Sequence, residues 1–285
     1  MSAITKVALA GATGNLGPAI LDQLLAAGFQ VTVLTRQSST HSFPGNVSAK
    51  EVDYESVDSL TKALQGQDAI VCTLAHTALK LQLNLVEAAS KAKVSRFIPS
   101  EFGSDTSNPK NAKLPVFAGK VTVGEALAKA AEKGDISYTL IRTGPFFDWG
   151  ITHGLLLGNT KEKIVTLWDG GERPFSTTTL ASIGKAVVGV LKNPDATKNR
   201  GIYVHDAVLS PKKLHALAEK VTSTTWQTKV VSIEDELLPP AWAELKKEKP
   251  DHSKLVIPFI VASIMGEGYG GHFQEVDNQV LGLEK

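Results

Sequence analysis

Three glycines at GxxGxxG spacing, Gly11, Gly14 and Gly17, lie between the apolar run Val7-Ala8-Leu9-Ala10 and a segment with helical periodicity. A first glycine in that place permits a sharp turn out of a strand, a second lets backbone close on a bulky anion, and a third lets the helix pack against the strand. The helix N-terminus then presents its partial positive charge to the anion. Pro18 suits the first helical turn, and Ala19-Ile20-Leu21 with Leu24-Leu25 supply an apolar face. Strand, turn and helix in this order predict pyrophosphate binding, with Gly11, Thr13, Gly14, Asn15, Leu16 and Gly17 around a dinucleotide.

The end of the next strand should read the adenine ribose, where an acidic residue takes free hydroxyls and an arginine takes a 2'-phosphate. This chain has Thr35-Arg36-Gln37-Ser38-Ser39 there, so NADPH is the expected cofactor, although an exposed Arg36 could also stack on adenine. Asp53, just past a third short strand, is placed either to meet the adenine edge or to cap the following helix.

Apolar β-rich runs alternate with helical patterns: strands at 6–10, 30–35, 50–52, 69–74, 96–99 and 137–142, helices near 17–27, 56–64, 77–92 and 120–133. That alternation predicts an α/β Rossmann-type fold, a doubly wound parallel sheet with helices on both faces, joined to a smaller C-terminal α/β substrate domain. Residues 1–150 form the expected NADP-binding domain, and a strand near 201–205 and the stretch around 176–180 are expected to complete its sheet. Residues 151–175 and 206–285 then make the substrate region, beginning where regularity breaks at Thr143 to Gly150.

A chain of 285 residues with net charge +1, 42% hydrophobic and 21% charged residues, has an ordinary globular composition that points to neither nucleic acid nor membrane. The longest apolar stretch, Leu255 to Met265, contains Pro258 and is too short to cross a bilayer. No secretory pattern precedes the first strand, so a cytoplasmic location is expected and the sequon Asn46-Val47-Ser48 is a chance match. The single cysteine, Cys72, sits in an apolar run and reads as core; the mixed charges of Glu244 to Lys249 read as a solvated helix face. No histidine lies in metal-ligand spacing, and no metal is expected.

Ligands of an open parallel sheet bind outside the carboxyl ends of the strands. Thr73, Leu74, Ser100, Glu101, Phe102, Pro145 and Phe146 are therefore expected beside the nicotinamide. His76, Phe147, Trp149, His153 and His272 are the candidates to meet a small-molecule substrate, while Trp168 reads as core. Short-chain reductases use a tyrosine with a lysine four residues later, and none of the four tyrosines has that partner. Val116 stands where the phenol would be and Lys120 remains, so a cation stays beside the cofactor while phenolic proton donation is lost.

The glycine turn, Leu34-Thr35-Arg36, Arg96-Phe97-Ile98-Pro99-Ser100-Glu101-Phe102-Gly103, Phe117-x-x-Lys120 and Ile136 to Arg142 together resemble the NmrA-like, isoflavone reductase-like group of atypical short-chain reductases. The resemblance runs in order through the first half and more faintly to Gly266–Phe273. It implies that Lys120 is the essential lysine that binds the nicotinamide ribose and helps protonate the reduced substrate. It also implies NADPH-dependent reduction of benzylic ethers, enones or activated phenylpropanoid esters, as in plant secondary metabolism. Gly124-Glu125 and Gly144 depart from the family's basic residues and asparagine, so the plant substrates do not carry over. The expected activity is hydride transfer to a small apolar or aromatic carbonyl, enone or quinone methide, with Lys120 beside the reacting centre as proton donor or electrostatic clamp. Two other classes fit the same residues: an NADP(H)-sensing regulator with a protein partner, and a non-redox isomerase, cyclase or dehydratase.

Overall fold

Along the first strand, β1 (Lys6–Ala10), successive side chains enter two different cores. Val7 and Leu9 pack with Ile20 and Leu24 of α1 (Gly17–Ala26), while Ala8 and Ala10 face the opposite side with Leu60 and Leu85. That period-two division makes a sheet buried on both faces. This computed structural model describes residues 3–37 and 39–283, and the side chains of His76, Thr77 and Leu79 lie outside that description.

The elements follow in alternation: β2 (Gln30–Arg36), β3 (Ser48–Val52), α2 (Val57–Leu64), β4 (Ala69–Cys72), α3 (Gln82–Lys91), β5 (Arg96–Ile98), α4 (Pro109–Ala112), α5 (Ala118–Glu132), β6 (Ser137–Arg142) and α6 (Phe147–Thr152). Then come β7 (Ile164–Trp168), β8 (Phe175–Thr177), α7 (Leu180–Lys192), β9 (Arg200–Tyr203), β10 (Ala207–Leu209), α8 (Pro211–Thr222), β11 (Gln227–Val231), α9 (Leu238–Leu245) and α10 (Val256–Met265). Seven strands form one parallel sheet in the order β3-β2-β1-β4-β5-β6-β9, the doubly wound Rossmann-type arrangement. Helices α1 and α7 cover one face, and α2, α3 and α5 the other. Cys72 is fully buried in this second layer, where burial pushes its thiol up to about 12.

A separate core gathers α8, α9, α10, β7 and the turn before α5, with Phe175 and Phe259 fully buried within it. No helix among the described residues is long and apolar enough to cross a membrane.

Three local expectations change. The stretch around 176–180 does not rejoin the main sheet: β8 pairs antiparallel with β10, and Thr178 bridges Phe146. The Phe147 N–H donates to Thr178 O at 2.8 Å, which draws this segment alongside the chain leaving β6. Asp53 does not cap α2, because Ser56 is the N-cap and accepts from the Ser59 N–H, while Asp53 accepts the Glu55 N–H at 2.9 Å. The helix expected over 77–92 opens as a tighter turn, His76–Leu81, before α3 begins.

Arg96, at the amino edge of β5, is fully buried. It donates from Nε to Ser137 Oγ (2.9 Å), from Nη1 to Thr139 Oγ1 (2.9 Å) and Thr197 Oγ1 (3.0 Å), and from Nη2 to Pro194 O (2.6 Å). Arg96→Met strands these acceptors and should cost about 3 kcal/mol, a fall in melting temperature of roughly 6–12 °C. A calorimetric midpoint unchanged from that of the parent would show that the network adds nothing to stability.

Candidate active site

β1 ends at Ala10, and the chain turns at Gly11 with φ +87°. A Cβ on Gly11 would lie 2.7 Å from the Thr73 carbonyl oxygen, so the loop and the end of β4 can approach only with glycine here. Gly17 lacks a side chain where α1 rests on the backbone of Gly11 and Ala12. Thr73 Oγ1 donates to the carbonyls of Ala10 (3.0 Å) and Gly11 (2.9 Å), so this hydroxyl secures the loop. Thr13, Gly14 and Asn15 are exposed above it, whereas the Leu16 side chain is buried in the core and leaves only backbone for a ligand. Among the described residues, no side chain caps α1 at its N-terminus. An exposed glycine loop leading into an uncapped helix start is a cradle that fits a pyrophosphate.

Arg36 is the last residue of β2 and exposed at the same carboxyl edge. The Ser39 N–H closes a turn onto Arg36 O at 3.2 Å; Ser38 lies outside the described residues. Asp53 is exposed one residue beyond β3, the next strand outward. Guanidinium at this edge fits a 2'-phosphate.

Further along the edge, Ser100 donates its hydroxyl to Leu74 O (2.9 Å) and its N–H to Gln82 Oε1 (2.8 Å), tying the loop after β5 to β4 and α3. Lys120 is the third residue of α5 and reaches back to that loop, where its Nζ donates to the Glu101 carbonyl. Its ammonium lies 5.6 Å from the centre of the Phe117 ring. Burial pulls the Lys120 pKa below the ordinary lysine value, and the Glu101 charge opposes that pull. The Glu101 side chain points inward, 2% exposed, and accepts from Thr106 Oγ1.

Beside Lys120 lies a cavity of about 160 Å³ whose walls include Phe102, Phe117, Pro145, Phe146, Trp149 and Ile264. Ser104 also faces it, with its Oγ 2.8 Å from Ser263 Oγ of α10. The Ser263 hydroxyl donates to Ile260 O at 2.7 Å, so Ser104 is the donor of the pair.

The five residues expected around a substrate divide. Trp149 lines the Lys120 cavity. Phe147 packs against the C-terminal core, and the exposed His153 stacks on the outside of Trp149, rings 4.2 Å apart and 11° from parallel. His272 lines a different cavity, of about 570 Å³, with Tyr203, Arg200 and Asp105. The His76 backbone begins the turn after β4, and its side chain lies outside the described residues. Sequence reasoning did not assign Ser104, Leu155, Ile260 or Ile264 to the cavity. The α10 residues carry only an apolar pattern, which any buried helix shares.

The sequence model of the NmrA-like family matches residues 4–240. The chain belongs to the NmrA-like family. Among its relatives, oxidoreductase aprR of Aspergillus flavus is 32% identical, over 98% of this chain and 94% of its own length. Bifunctional pinoresinol-lariciresinol reductase 2 of Linum usitatissimum is 28% identical over 81% of this chain and 76% of its own. In fold, the chain matches AtPrR2 with NADP+ and (+)-pinoresinol at a TM-score of 0.78, with 23% identity, over 97% of this chain and 92% of that one. It likewise matches the leucoanthocyanidin reductase–NADPH complex of Vitis vinifera at a TM-score of 0.76 and 19% identity, over 94% and 89% of the two chains.

Proposed function

We propose that this NmrA-like protein is an NADPH-dependent reductase of a small apolar or aromatic carbonyl, enone or quinone methide. The observation that carries the reading is the Lys120 ammonium at the wall of an apolar cavity, on the same sheet edge as the glycine cradle. Relatives named oxidoreductase or reductase, and neighbours in fold solved with NADP+ or NADPH, support it.

NADPH, when bound, supplies the hydride. The backbone of Gly11, Thr13, Gly14, Asn15, Leu16 and Gly17 holds its pyrophosphate, and Arg36 with Asp53 borders the adenosine. Leu74, Ser100, Phe102, Pro145 and Phe146 border the nicotinamide side, with Thr73 keeping the cradle in shape. Residues 151–175 and 206–285 close the substrate side. A cavity of about 150 Å³ lined by apolar side chains holds benzene, so the space by Lys120 suits one ring of a substrate and excludes water from it. Lys120 stabilises negative charge that develops on the substrate oxygen and delivers a proton there.

Lys120 must hold its proton to do this, and burial has already lowered its pKa. Turnover should therefore fall as pH rises through that lowered value, below the roughly 10.4 of a free lysine. Titration with NADPH and NADH by fluorescence, then addition of aromatic enones, quinones and aldehydes while absorbance is followed, tests the reading. Oxidation of bound NADPH by one compound class supports it; tight binding without oxidation by any of them favours a cofactor sensor. Lys120→Ala should reduce turnover at least tenfold, about 1.4 kcal/mol or more, with a smaller change in NADPH affinity. Arg36→Ala should weaken NADPH by roughly tenfold or more while leaving NADH nearly unchanged. Equal loss for both nucleotides would remove Arg36 from the 2'-phosphate.

A further inference from the structure

We propose that Glu101 is a positioning residue for Lys120 and not a ligand of the cofactor: its backbone carbonyl fixes the ammonium while its inward-facing carboxylate supplies the countercharge. This rests on the reading of Lys120 as the group beside the reacting centre.

The two functional ends of Glu101 point in different directions. Its carbonyl oxygen meets Lys120 Nζ at the cavity wall. Its side chain is 2% exposed, does not line the cavity and receives the Thr106 hydroxyl. A carboxylate so covered cannot reach a nucleotide bound at the open strand ends, although its position after β5 led to that expectation. Its charge acts through space on Lys120 and opposes the lowering by burial.

Lys120 needs such a countercharge. An ammonium has three protons to place, and the Glu101 carbonyl takes one. The surrounding walls are mostly phenylalanine, tryptophan and isoleucine, which return little of the hydration lost on entering the cleft beyond the Phe117 ring face. One residue therefore holds the ammonium twice, by a dipole in contact and by a charge through space.

The test is the rate of arylation of Lys120 by fluorodinitrobenzene as a function of pH, followed by peptide mass spectrometry in cofactor-free protein, with exposed Lys133 as internal reference. Glu101→Gln keeps the shape, the carbonyl and an acceptor for Thr106 but removes the charge. Its expected result is a Lys120 profile moved about one unit to lower pH. Glu101→Asp, which keeps the charge, should restore most of that shift, and NADPH affinity should stay within about twofold of the parent in both variants, a difference of roughly 0.4 kcal/mol. A Lys120 profile unmoved in folded E101Q overturns the proposal, as does a tenfold loss of NADPH affinity without a shifted profile. Should E101Q fail to fold, Glu101→Asp and Glu101→Ala are compared after reductive methylation with carbon-13 formaldehyde. The Lys120 methyl resonance should titrate at lower pH in Glu101→Ala than in Glu101→Asp, and equal midpoints overturn the proposal. Labelling needs no substrate, so a failure to oxidise NADPH would count against the reductase reading alone, and an unmoved profile against this one alone.

Discussion

An ammonium group that enters a cleft of phenylalanine, tryptophan and isoleucine loses most of its hydration, and something fixed must replace it. Here the replacement is the loop after β5, so that loop must not move. Its neighbours all hold it. Gln82 of α3 takes the Ser100 N–H, and Leu74 beyond β4 takes the Ser100 hydroxyl. The N–H groups of Thr143 and Gly144, beyond β6, both reach Gly103 O at 3.1 Å. Arg142 Nε lies 2.8 Å from Asp105 Oδ1, and Asn111 Nδ2 bridges Asp105 O and Tyr269 O. The parallel order of the sheet is what brings these strand ends to one edge, where each can contribute a bond to the same few residues.

The second core gives the cleft an apolar wall. Ile260 and Ile264 of α10 form one wall, and Ser263 of the same helix takes the Ser104 proton, so α10 is fastened to the loop it covers. From there the chain returns to the sheet. The Ser176 N–H donates to Gly271 O, the Asp277 carboxylate takes the Tyr203 N–H and pairs with Arg200, and Leu281 packs over Gly189 of α7. This return also covers β9, the last strand of the sheet, whose open edge would otherwise invite pairing.

How much of this was legible varies with the range of the interaction. The bounds of β1 and β6 coincide with the sequence expectation, because alternating or continuous β-rich apolar runs between turn residues are a local signal. The glycine cradle was legible for the same reason, since its spacing is itself the constraint. Residues 176–180 carry an equally β-like pattern, yet their partners, β10 and the exit from β6, are fixed by tertiary packing that no window reveals. Asp53 and Ser56 are both good caps by type, and the choice between them turned on where α2 begins. The histidines carried no spacing at all: His153 belongs to a stack outside Trp149 and His272 to another cavity, while Ser104 drew no attention because its role depends on a serine far along the chain.

That distribution of polar groups bears on which chemistry the cleft can perform. An isomerisation or dehydration through an enol or carbanion calls for a base to remove one proton and an acid to deliver another. Among the described residues that line the cavity, Lys120 is the group that can carry a proton to a substrate, for Ser104 has given its proton to Ser263 and the Trp149 indole is a donor without basicity. No described carboxylate or imidazole joins them there. Hydride transfer to an electrophilic carbon requires one proton, or one positive charge, at the oxygen that gains electrons. A single lysine, held by one carbonyl at the wall of a ring-sized space, would meet that requirement under the proposed reading.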